Sequence, residues 1–427
     1  MLDVFFHPKS IAIIVASGRV GSWGYLITRH IVEGGFQGNI YLVNLNAKEL
    51  FGLKPYLSLK DVPGEVDLAV IVVPPGMVLE AMEECASSKV KGVVVITSGF
   101  GEVSEEGRRQ EGLLVDIAKR GGIRLLGPNC SGLFDFSCRV NASGCDWMFL
   151  QDHPIAFVTQ SGYSIENLGL EGYFNRLGFD KFVHTGNESD LTCTDFLEYF
   201  GHDSHTKVIL LYLEGLKDGR RFAEVARDVS RKKPVVAFKA GRTTSGAKAM
   251  LSHTGSIAGS EQIIDMVLKE TGIIRVEKLE GILKVGKAFL HHPPLKGDRI
   301  GILTIGGGWG VILSDALTQR GLRVLEFPTS IRKELISIGN IPPWASVKNP
   351  VDIGAAFGLV SHPVKTHKIV DFLLSVKEID GLVVHGFGRL GVLGKKRPEY
   401  EPLAENELEL LDQICELARH HSKPLLL

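Results

Sequence analysis

Short, almost uninterrupted runs of apolar and β-branched residues recur along the chain and alternate with segments of helical periodicity. Five such runs occur between residues 10 and 126: IAIIVA, NIYLVN, VDLAVIVV, GVVVIT and IRLL. A strand that is apolar on both faces needs a covering layer on both sides, which is typical of a parallel sheet with helical crossovers. The pattern predicts an α/β protein that begins with a Rossmann-like domain.

Two further series of the same kind follow. The second contains IAFVTQ, KFVHT, KVILLYLE and PVVAFK, and the third contains RIGILTIGGGWG, LRVLEF, GLVVHGF and KPLLL. Between them, HHPPLKGD at 291–298 has the Pro, Gly and charge content of a linker. Because the third series stops on a strand, we expect its domain to be short at the C-terminus. The predicted domains are Rossmann-like at 1–130 and flavodoxin-like, doubly wound at 131–293 and 297–427.

Composition and charge exclude several classes of protein. The 427 residues include 48 Lys and Arg against 49 Asp and Glu, so no basic surface for nucleic acid or for an anionic membrane is expected. The N-terminal residues lack the basic and apolar regions of a secretory leader, and no apolar run approaches a membrane span, so we expect neither a leader nor a membrane span. Its six cysteines lack the CxxC pairing of a zinc site or disulfide framework. We expect a cytoplasmic protein with reduced thiols and no metal site.

The first strand leads into a glycine turn, VASGRVGSWG at 15–24. Its glycines are spaced by three rather than as GxGxxG, and the second strand ends at Asn44, where a dinucleotide enzyme usually has an acidic residue. Backbone amides of such a turn can still face a phosphate group. The turn therefore favours a phosphate-bearing ligand other than NAD, with a purely structural turn as the alternative.

Two later turns also join a first strand to a helix. VTQSG at 158–162 places Ser161 and Gly162 at such a point, and TIGGGWG at 304–310 does so with a run of glycines. Free amides and the positive end of a helix dipole attract anions. Each signal alone is weak, because Ser-Gly often does no more than cap a helix.

The segment SHTGSIAGS at 252–260 surrounds His253 with small residues. Neutral imidazole is nucleophilic, and a histidine that is approached closely by phosphate donors needs neighbours without bulk. Two helix N-termini would stabilise a phosphohistidine. Glu214 ends the strand KVILLYLEG, where an ionised carboxylate is costly to bury, and it could hold the second ring nitrogen. A loop histidine without a role and a surface glutamate are the alternatives.

These motifs resemble the α-subunit type of the NDP-forming acyl-CoA synthetases, relatives of succinyl-CoA synthetase. The resemblance covers nearly the whole chain and rests on SHTGSIAG, GPNCSG, VTQSG, LYLEG and the order of three domains. It implies a reversible reaction in which acyl-CoA, phosphate and ADP give a carboxylic acid, CoA and ATP through a phosphorylated histidine. It also implies a hetero-oligomer in which a separate ATP-grasp β subunit binds ATP or ADP with Mg²⁺.

The same resemblance implies roles for individual residues. His253 would carry the phosphoryl group, and Glu214 would be its carboxylate partner. The residues implied to bind coenzyme A are Ser17, Val20, Gly21, Ser22, Trp23, Asn44, Val73, Pro74, Ile96, Thr97 and Ser98. The residues implied to bind phosphate are Gln160, Ser161, Gly162, Gly186, Asn187, Gly307, Gly308 and Gly310.

The chain also departs from the family pattern. Val15 stands where the family has the first glycine of GAS, and Ile305, Gly306 and Trp309 replace Asn, Ala and Pro of NAGGPG. Trp309 would either crowd the phosphate pocket or line the acyl site. These departures and the short third domain motivate a second hypothesis, a CoA-binding regulatory or scaffold protein without turnover. A nicotinamide-dependent enzyme is a third and weaker hypothesis.

Overall fold

The computed structural model describes residues 2–147, 151–246, 248, 261–342, 344–354 and 364–427. His253 lies outside the described residues. The chain divides into two compact units, Met1–Leu290 and His291–Leu427. The first unit contains two sheets, one for each of the domains predicted at 1–130 and 131–293, and the second unit contains a third sheet.

The first sheet has five parallel strands in the order β2-β1-β3-β4-β5. Its strands are β1 Ser10–Ile14, β2 Asn39–Val43, β3 Leu68–Ile71, β4 Gly92–Val95 and β5 Arg124–Leu126. Its helices are α1 Asp3–Phe6, α2 Trp23–Glu33, α3 Val78–Ser87 and α4 Glu105–Gly121. The prediction of a Rossmann-like parallel sheet at the N-terminus is confirmed.

The second sheet has seven strands in the order β12-β11-β10-β8-β9-β6-β7. Its strands are β6 Gly132–Asp135, β7 Val140–Ser143, β8 Ile155–Thr159, β9 Lys181–His184, β10 Val208–Leu213, β11 Val235–Lys239 and β12 Ile274–Val276. Its helices are α5 Ser164–Asn175, α6 Cys193–His202, α7 Gly219–Ser230, α8 Glu261–Glu270 and α9 Leu279–His291. The strands β8 to β12 pair in parallel, whereas β6 is antiparallel to both β7 and β9.

One hydrophobic core joins the two sheets of the first unit. Phe6 of α1 is fully buried, and its ring centroid lies 6.2 Å from that of Phe196 and 5.2 Å from that of Phe200, both on α6. The same apolar cluster includes Ile13 of β1 and Leu211 of β10. Residues far apart in sequence therefore form a single core, because α1 packs against a helix of the second sheet.

The third sheet has five strands in the order β14-β15-β13-β16-β17, all parallel except the β14–β15 pair. Its strands are β13 Ile300–Thr304, β14 Ser346–Val347, β15 Val351–Asp352, β16 Gly381–His385 and β17 Leu425–Leu426. Its helices are α10 Gly307–Thr318, α11 Thr329–Gly339, α12 Thr366–Ser375, α13 Arg389–Gly394 and α14 Glu401–His421. Among the described helices of the whole chain, none is both long and apolar enough to cross a membrane.

The prediction of a strand at LRVLEF was wrong. Of these residues only Arg323 pairs in a sheet-like manner, in an isolated bridge with Arg299. The Asn349 side chain accepts a hydrogen bond from Ile302 N at 2.9 Å and donates to Leu325 O at 3.0 Å. The Asn349 side-chain amide thus links this segment to β13, in place of the backbone hydrogen bonds that a paired strand would form.

Candidate functional site

The turn from β1 to α2 contains a strained residue. Val15 has φ 65°, in the left-handed region that a β-branched residue rarely adopts. The amides of Val15 and Ala16 both donate to Val43 O, at 3.0 and 3.2 Å. The position where the family pattern has glycine thus keeps a backbone conformation suited to glycine, although valine occupies it here.

Asn44 fastens this turn to the end of β2. Its Nδ2 donates to Ala16 O at 2.8 Å, and its Oδ1 accepts from the amides of Asn46 and Ala47, each at 2.8 Å. Both ends of the side-chain amide are therefore engaged within the protein. The structure shows Asn44 positioning the turn, and its contact with CoA stays a prediction.

Replacing Asn44 with alanine is expected to destabilise the fold by about 1–3 kcal/mol, because a carbonyl and two amides lose their partner at a half-buried position. Urea unfolding of the full chain measures the loss. Asn46→Ala is the matched control, since that side chain is exposed and only its backbone amide takes part. Equal unfolding free energies for the two variants would contradict this role for Asn44.

The other residues predicted to bind CoA lie along the same edge of the first sheet. Val20 and Trp23 are exposed, and Ser22 accepts from Tyr25 N at 3.2 Å to cap α2. Gly21 has φ 83°, as its place in the turn requires. Pro74 and Ser98 are exposed, whereas Val73 and Ile96 are buried. The Ser17 hydroxyl accepts a hydrogen bond from Arg19 N, and the Thr97 hydroxyl donates one to Val73 O.

A cleft of about 620 Å³ lies beside this turn, at the carboxyl ends of β1, β2 and β3. Val15, Val43 and Val73 are among the residues that line it, and its charged lining residues are Lys60, Glu80, Glu83 and Glu84. Ligands of parallel sheets bind in such crevices beyond the carboxyl ends of the strands.

At the carboxyl edge of the second sheet, the Gln160 side chain is hydrogen-bonded to the backbone just after β10. Its Oε1 accepts from Glu214 N at 2.5 Å and from Gly215 N at 3.1 Å, and its Nε2 donates to Gly215 O at 2.9 Å. The side chain predicted to bind phosphate is therefore engaged with backbone. These hydrogen bonds fix the position of the Glu214 backbone.

The turn after β8 differs from its prediction in one respect. The helix α5 begins at Ser164, and the amide of Ser161 donates to Thr159 Oγ1 at 2.9 Å. The Ser161 amide is thus not free for an anion, because the preceding threonine already accepts from it. A Cβ on Gly162 would lie 3.0 Å from His184 Cε1, so the turn needs a small residue there.

Asn187 lies at a joint between the two sheets of the first unit. Its Nδ2 donates to Glu102 at 2.6 Å and to Glu111 at 3.0 Å, and its backbone amide donates to Pro128 O. Burial alone would raise the pKa of Glu102, but hydrogen bonds from Asn187 and from Gly99 N hold that pKa below its ordinary value. These contacts place Asn187 at the joint between the two sheets, and its contact with phosphate stays a prediction. Its neighbour Gly186 has φ 61°.

Three buried ionisable side chains lie at the carboxyl edge of the second sheet. Glu214 follows β10 directly, and Lys239 ends the adjacent β11, where it pairs in register with Leu213. Glu214 and Lys239 are 7% and 1% exposed. Burial lowers the pKa of Lys239, against the opposing negative charges of Glu261 and Glu214. Lys239 therefore offsets negative charge beside Glu214.

Glu188 is the third of these side chains. One oxygen accepts from Thr185 Oγ1 at 2.9 Å and from Cys193 N at 2.7 Å, and burial raises the pKa of the carboxyl group. Sequence reasoning missed both Glu188 and Lys239. The signal for Lys239 is present in PVVAFK, since a charge that ends an apolar strand is the same feature that singled out Glu214.

In the second unit, the glycine turn after β13 begins α10. Gly307, Gly308 and Gly310 form the first turn of this helix, and Gly306 precedes it with φ 137°. The Asp352 carboxylate accepts from Gly306 N at 3.0 Å. The glycines thus stand at a helix N-terminus, as predicted, and a carboxylate anchors the turn.

Two groups within the described ranges bring three potential metal ligands within 4.8 Å of one another. They are His7, Asp135 and Cys138, and Asp152, Asp180 and His205. In each group one carboxylate already faces a cation, because Asp135 and Asp180 both form ion pairs with Lys181. We therefore assign no metal role to either group.

Three family models match successive parts of the chain. They are a CoA binding domain at residues 9–134, a succinyl-CoA ligase like flavodoxin domain at 152–289 and a Ligase-CoA domain at 300–384. Each matched range contains the central strands of one sheet. The order of the three models agrees with the order of sheets in the structure.

Individual proteins that resemble this chain are also CoA ligases. The α subunit of ADP-forming acetate–CoA ligase II from Pyrococcus furiosus is 43% identical over 357 residues, which are 83% of this chain and 77% of the relative. ADP-forming acetate–CoA ligase from Methanocaldococcus jannaschii is 40% identical over 82% of this chain and 49% of the relative. The dinucleotide-forming acetyl-coenzyme A synthetase 1 of Ca. Korarchaeum cryptofilum, solved with phosphate and ADP, matches with a TM-score of 0.86 and 34% identity, covering 100% of this chain and 88% of that one.

Proposed function

This chain belongs to the ADP-forming acyl-CoA ligases, as an α subunit, and we propose that it binds CoA at the first sheet and carries a phosphoryl group on His253. Phosphate would displace CoA from the thioester of acyl-CoA, and the acyl phosphate so formed would transfer its phosphoryl group to the imidazole with the carboxylate of the free acid as the leaving group. The phosphohistidine would then pass its phosphoryl group to ADP. Each step is reversible, so the same residues serve synthesis of the thioester.

The placement of Glu214 is the observation that carries this proposal. Its carboxylate is buried at the carboxyl edge of the second sheet, and Gln160 holds the backbone at this point through Glu214 N and Gly215 N. The adjacent strand, β11, ends at Lys239, and the chain then continues through His253 to α8. In the sequence, His253 thus follows β11, the strand that pairs with β10 beside Glu214.

In this mechanism Glu214 accepts a hydrogen bond from the ring N–H of His253. The bond orients the imidazole with its other nitrogen unprotonated, and the carboxylate stabilises the positive charge that develops as that nitrogen attacks phosphorus. Lys239 offsets the charge of Glu214 within the buried cluster.

The nucleotide would bind to a partner with an ATP-grasp fold, in a hetero-oligomer. Two observations support a partner. The Pyrococcus furiosus relative is named a subunit, and this chain corresponds to 49% of the Methanocaldococcus jannaschii enzyme. ADP and Mg²⁺ would be held by the partner, while CoA, phosphate and the acid would contact this chain.

The test is incubation of the full chain with acyl-CoA and radiolabelled phosphate. We expect an acid-labile, base-stable label on the wild-type chain and none on His253→Asn. The matched control is His420→Asn, which removes an exposed histidine of α14 and should leave the label unchanged. A label that persists in His253→Asn, or CoA binding without any label, would overturn the proposal.

A further inference from the structure

The loop that follows β4 is closed by a carboxylate at its own end. This loop, at 96–102, contains three of the residues predicted to bind CoA. Glu102 Oε1 accepts hydrogen bonds from Gly99 N at 2.5 Å and from Phe100 N at 3.1 Å. One oxygen of the Glu102 side chain therefore holds the loop, while the other oxygen can bind a group outside it.

The second oxygen of Glu102 connects this loop to the second sheet. It accepts from Asn187 Nδ2 at 2.6 Å, and Asn187 lies in the turn after β9. The same Nδ2 group donates to Glu111 Oε2 at 3.0 Å. Glu111 also accepts from Gly101 N at 3.0 Å and from Ser189 Oγ at 2.5 Å. Glu102, Glu111 and Asn187 thus form a clasp between the first and second sheets.

Backbone contacts hold the same turn close to the chain that leaves the first sheet. Asn187 N donates to Pro128 O at 2.9 Å, and a Cβ on Gly186 would lie 2.3 Å from Pro128 O. Asn129 N in turn donates to Thr97 O at 2.9 Å, within the loop after β4. Because close-packed groups transmit displacement, a shift on one side of this contact moves the other side.

Lys217 extends the connection to the turn that begins at Glu214. Its Nζ donates to Asn187 O at 2.6 Å and to Glu188 O at 2.8 Å, and it lies three residues after Glu214. Hydrogen bonds therefore link the loop after β4, through Glu102, Asn187 and Lys217, to the carboxyl edge of the second sheet. Each of these contacts lies within the compact unit Met1–Leu290.

We propose that Glu102 is a positioning residue that aligns acyl-CoA, bound at the first sheet, with the Glu214 edge of the second sheet. The inference rests on the proposed function. In the first step, phosphate attacks the thioester carbonyl, a C–O bond replaces the C–S bond, and CoA leaves as the thiol with the proton of the phosphate. In the second step, the acyl phosphate transfers its phosphoryl group to His253. Only the first step depends on the clasp, because only acyl-CoA is held through the first sheet.

The test compares two phosphoryl donors on the full chain, acetyl-CoA with radiolabelled phosphate and radiolabelled acetyl phosphate. Glu102→Gln has a single carbonyl oxygen, so it can accept from the loop or from Asn187 but not from both. We expect labelling from acetyl-CoA to slow about tenfold or more, since a misplacement of about 1 Å can cost about 10²-fold. Labelling from acetyl phosphate should be unchanged. Glu105→Gln, at the exposed start of α4, is the matched control and should change neither rate.

A second variant and a binding measurement complete the test. Glu111→Gln weakens the other side of the clasp and should also slow labelling from acetyl-CoA alone. The affinity for CoA, measured by calorimetry, should equal that of the Glu105→Gln control. Unchanged labelling from acetyl-CoA, equal slowing with both donors, or slowing that disappears at saturating phosphate would overturn the inference and leave the phosphohistidine intact. A wild-type chain that neither donor labels would overturn the proposed function and this inference with it.

Discussion

Replacing Glu214 with glutamine is expected to slow phosphorylation of His253 by acyl-CoA and phosphate by up to about 10⁴-fold, the loss seen when the carboxylate that orients a catalytic histidine becomes an amide. Glutamine has nearly the same volume and leaves the backbone contacts with Gln160 in place. It cannot stabilise a positive ring, and its NH₂ favours the wrong imidazole tautomer. The fold should therefore survive while the chemical step does not.

The measurement is the initial rate of label incorporation at saturating acyl-CoA. Glu224→Gln is the matched control, because it makes the same substitution on an exposed position of α7. CoA affinity, measured by calorimetry, should be equal in both variants and in the wild type. A Glu214→Gln chain that labels at the control rate would show that this carboxylate does not assist the histidine.

The second large effect is expected at Lys181, whose ammonium group lies among three carboxylates at the opposite edge of the second sheet. It forms ion pairs with Asp180, with Asp203 at 3.2 Å and with Asp135 at 3.8 Å. Lys181, Asp135 and Asp180 are all at most 2% exposed. Lys181→Met leaves buried carboxylates without their cation, so we expect a loss of about 3–5 kcal/mol in the free energy of unfolding at pH 7.

The loss should depend on pH in a defined direction. Burial alone would raise the pKa of Asp203, but a Thr206 hydrogen bond and the Lys181 charge hold it below its ordinary value, so its contribution is present above pH 3.8 and is lost as the pH falls further. Burial raises the pKa of Asp180, which takes up a proton at higher pH than an ordinary aspartate. Because Lys181 opposes this rise, loss of the lysine lets Asp180 take up its proton at still higher pH. The difference between wild type and Lys181→Met should therefore shrink as the pH is lowered from 7 towards 4, while the contribution of Asp203 changes only below that range.

Urea unfolding across this pH range is the measurement. Lys232→Met is the control, since it removes the lysine of an ion pair with Asp228 in which the two side chains are 48% and 56% exposed. An exposed pair contributes little, so its loss should be small at every pH. Similar losses in the two variants, or a difference that is constant with pH, would contradict the role of burial at Lys181.

The regular part of the fold follows from patterns that can be seen in the sequence. The runs that form β1, β3 and β4 are apolar on both faces, and a strand of this kind is stable only between two layers. The same patterns mark the central strands β8, β10 and β11 of the second sheet. Glu214 stands out because a charge that ends such a strand is unusual.

Elements that depend on side chains from distant segments could not be predicted in this way. The hairpin of β6 and β7 has short strands that carry Asp135, Asn141 and Ser143, so it lacks an apolar run. The segment LRVLEF has the pattern of a strand, yet Asn349 occupies the place beside β13 that a ladder would need. In the first case β6 is held by its pairing with the distant strand β9, and in the second a polar side chain from another part of the chain determines the local structure.

By itself the sequence determined the α/β class, the parallel strands, the family resemblance and the candidacy of His253 and Glu214, because periodicity and motif spacing are local properties. Only the tertiary structure decided that Gln160 holds Glu214 in place, that Lys239 lies beside it and that Asn187 joins two sheets. It also brought Trp309 and His385 together in a cleft of the third sheet. Such contacts join residues from separate strands, and the cost of burying a charge or an unpaired polar group depends on which neighbours the fold supplies.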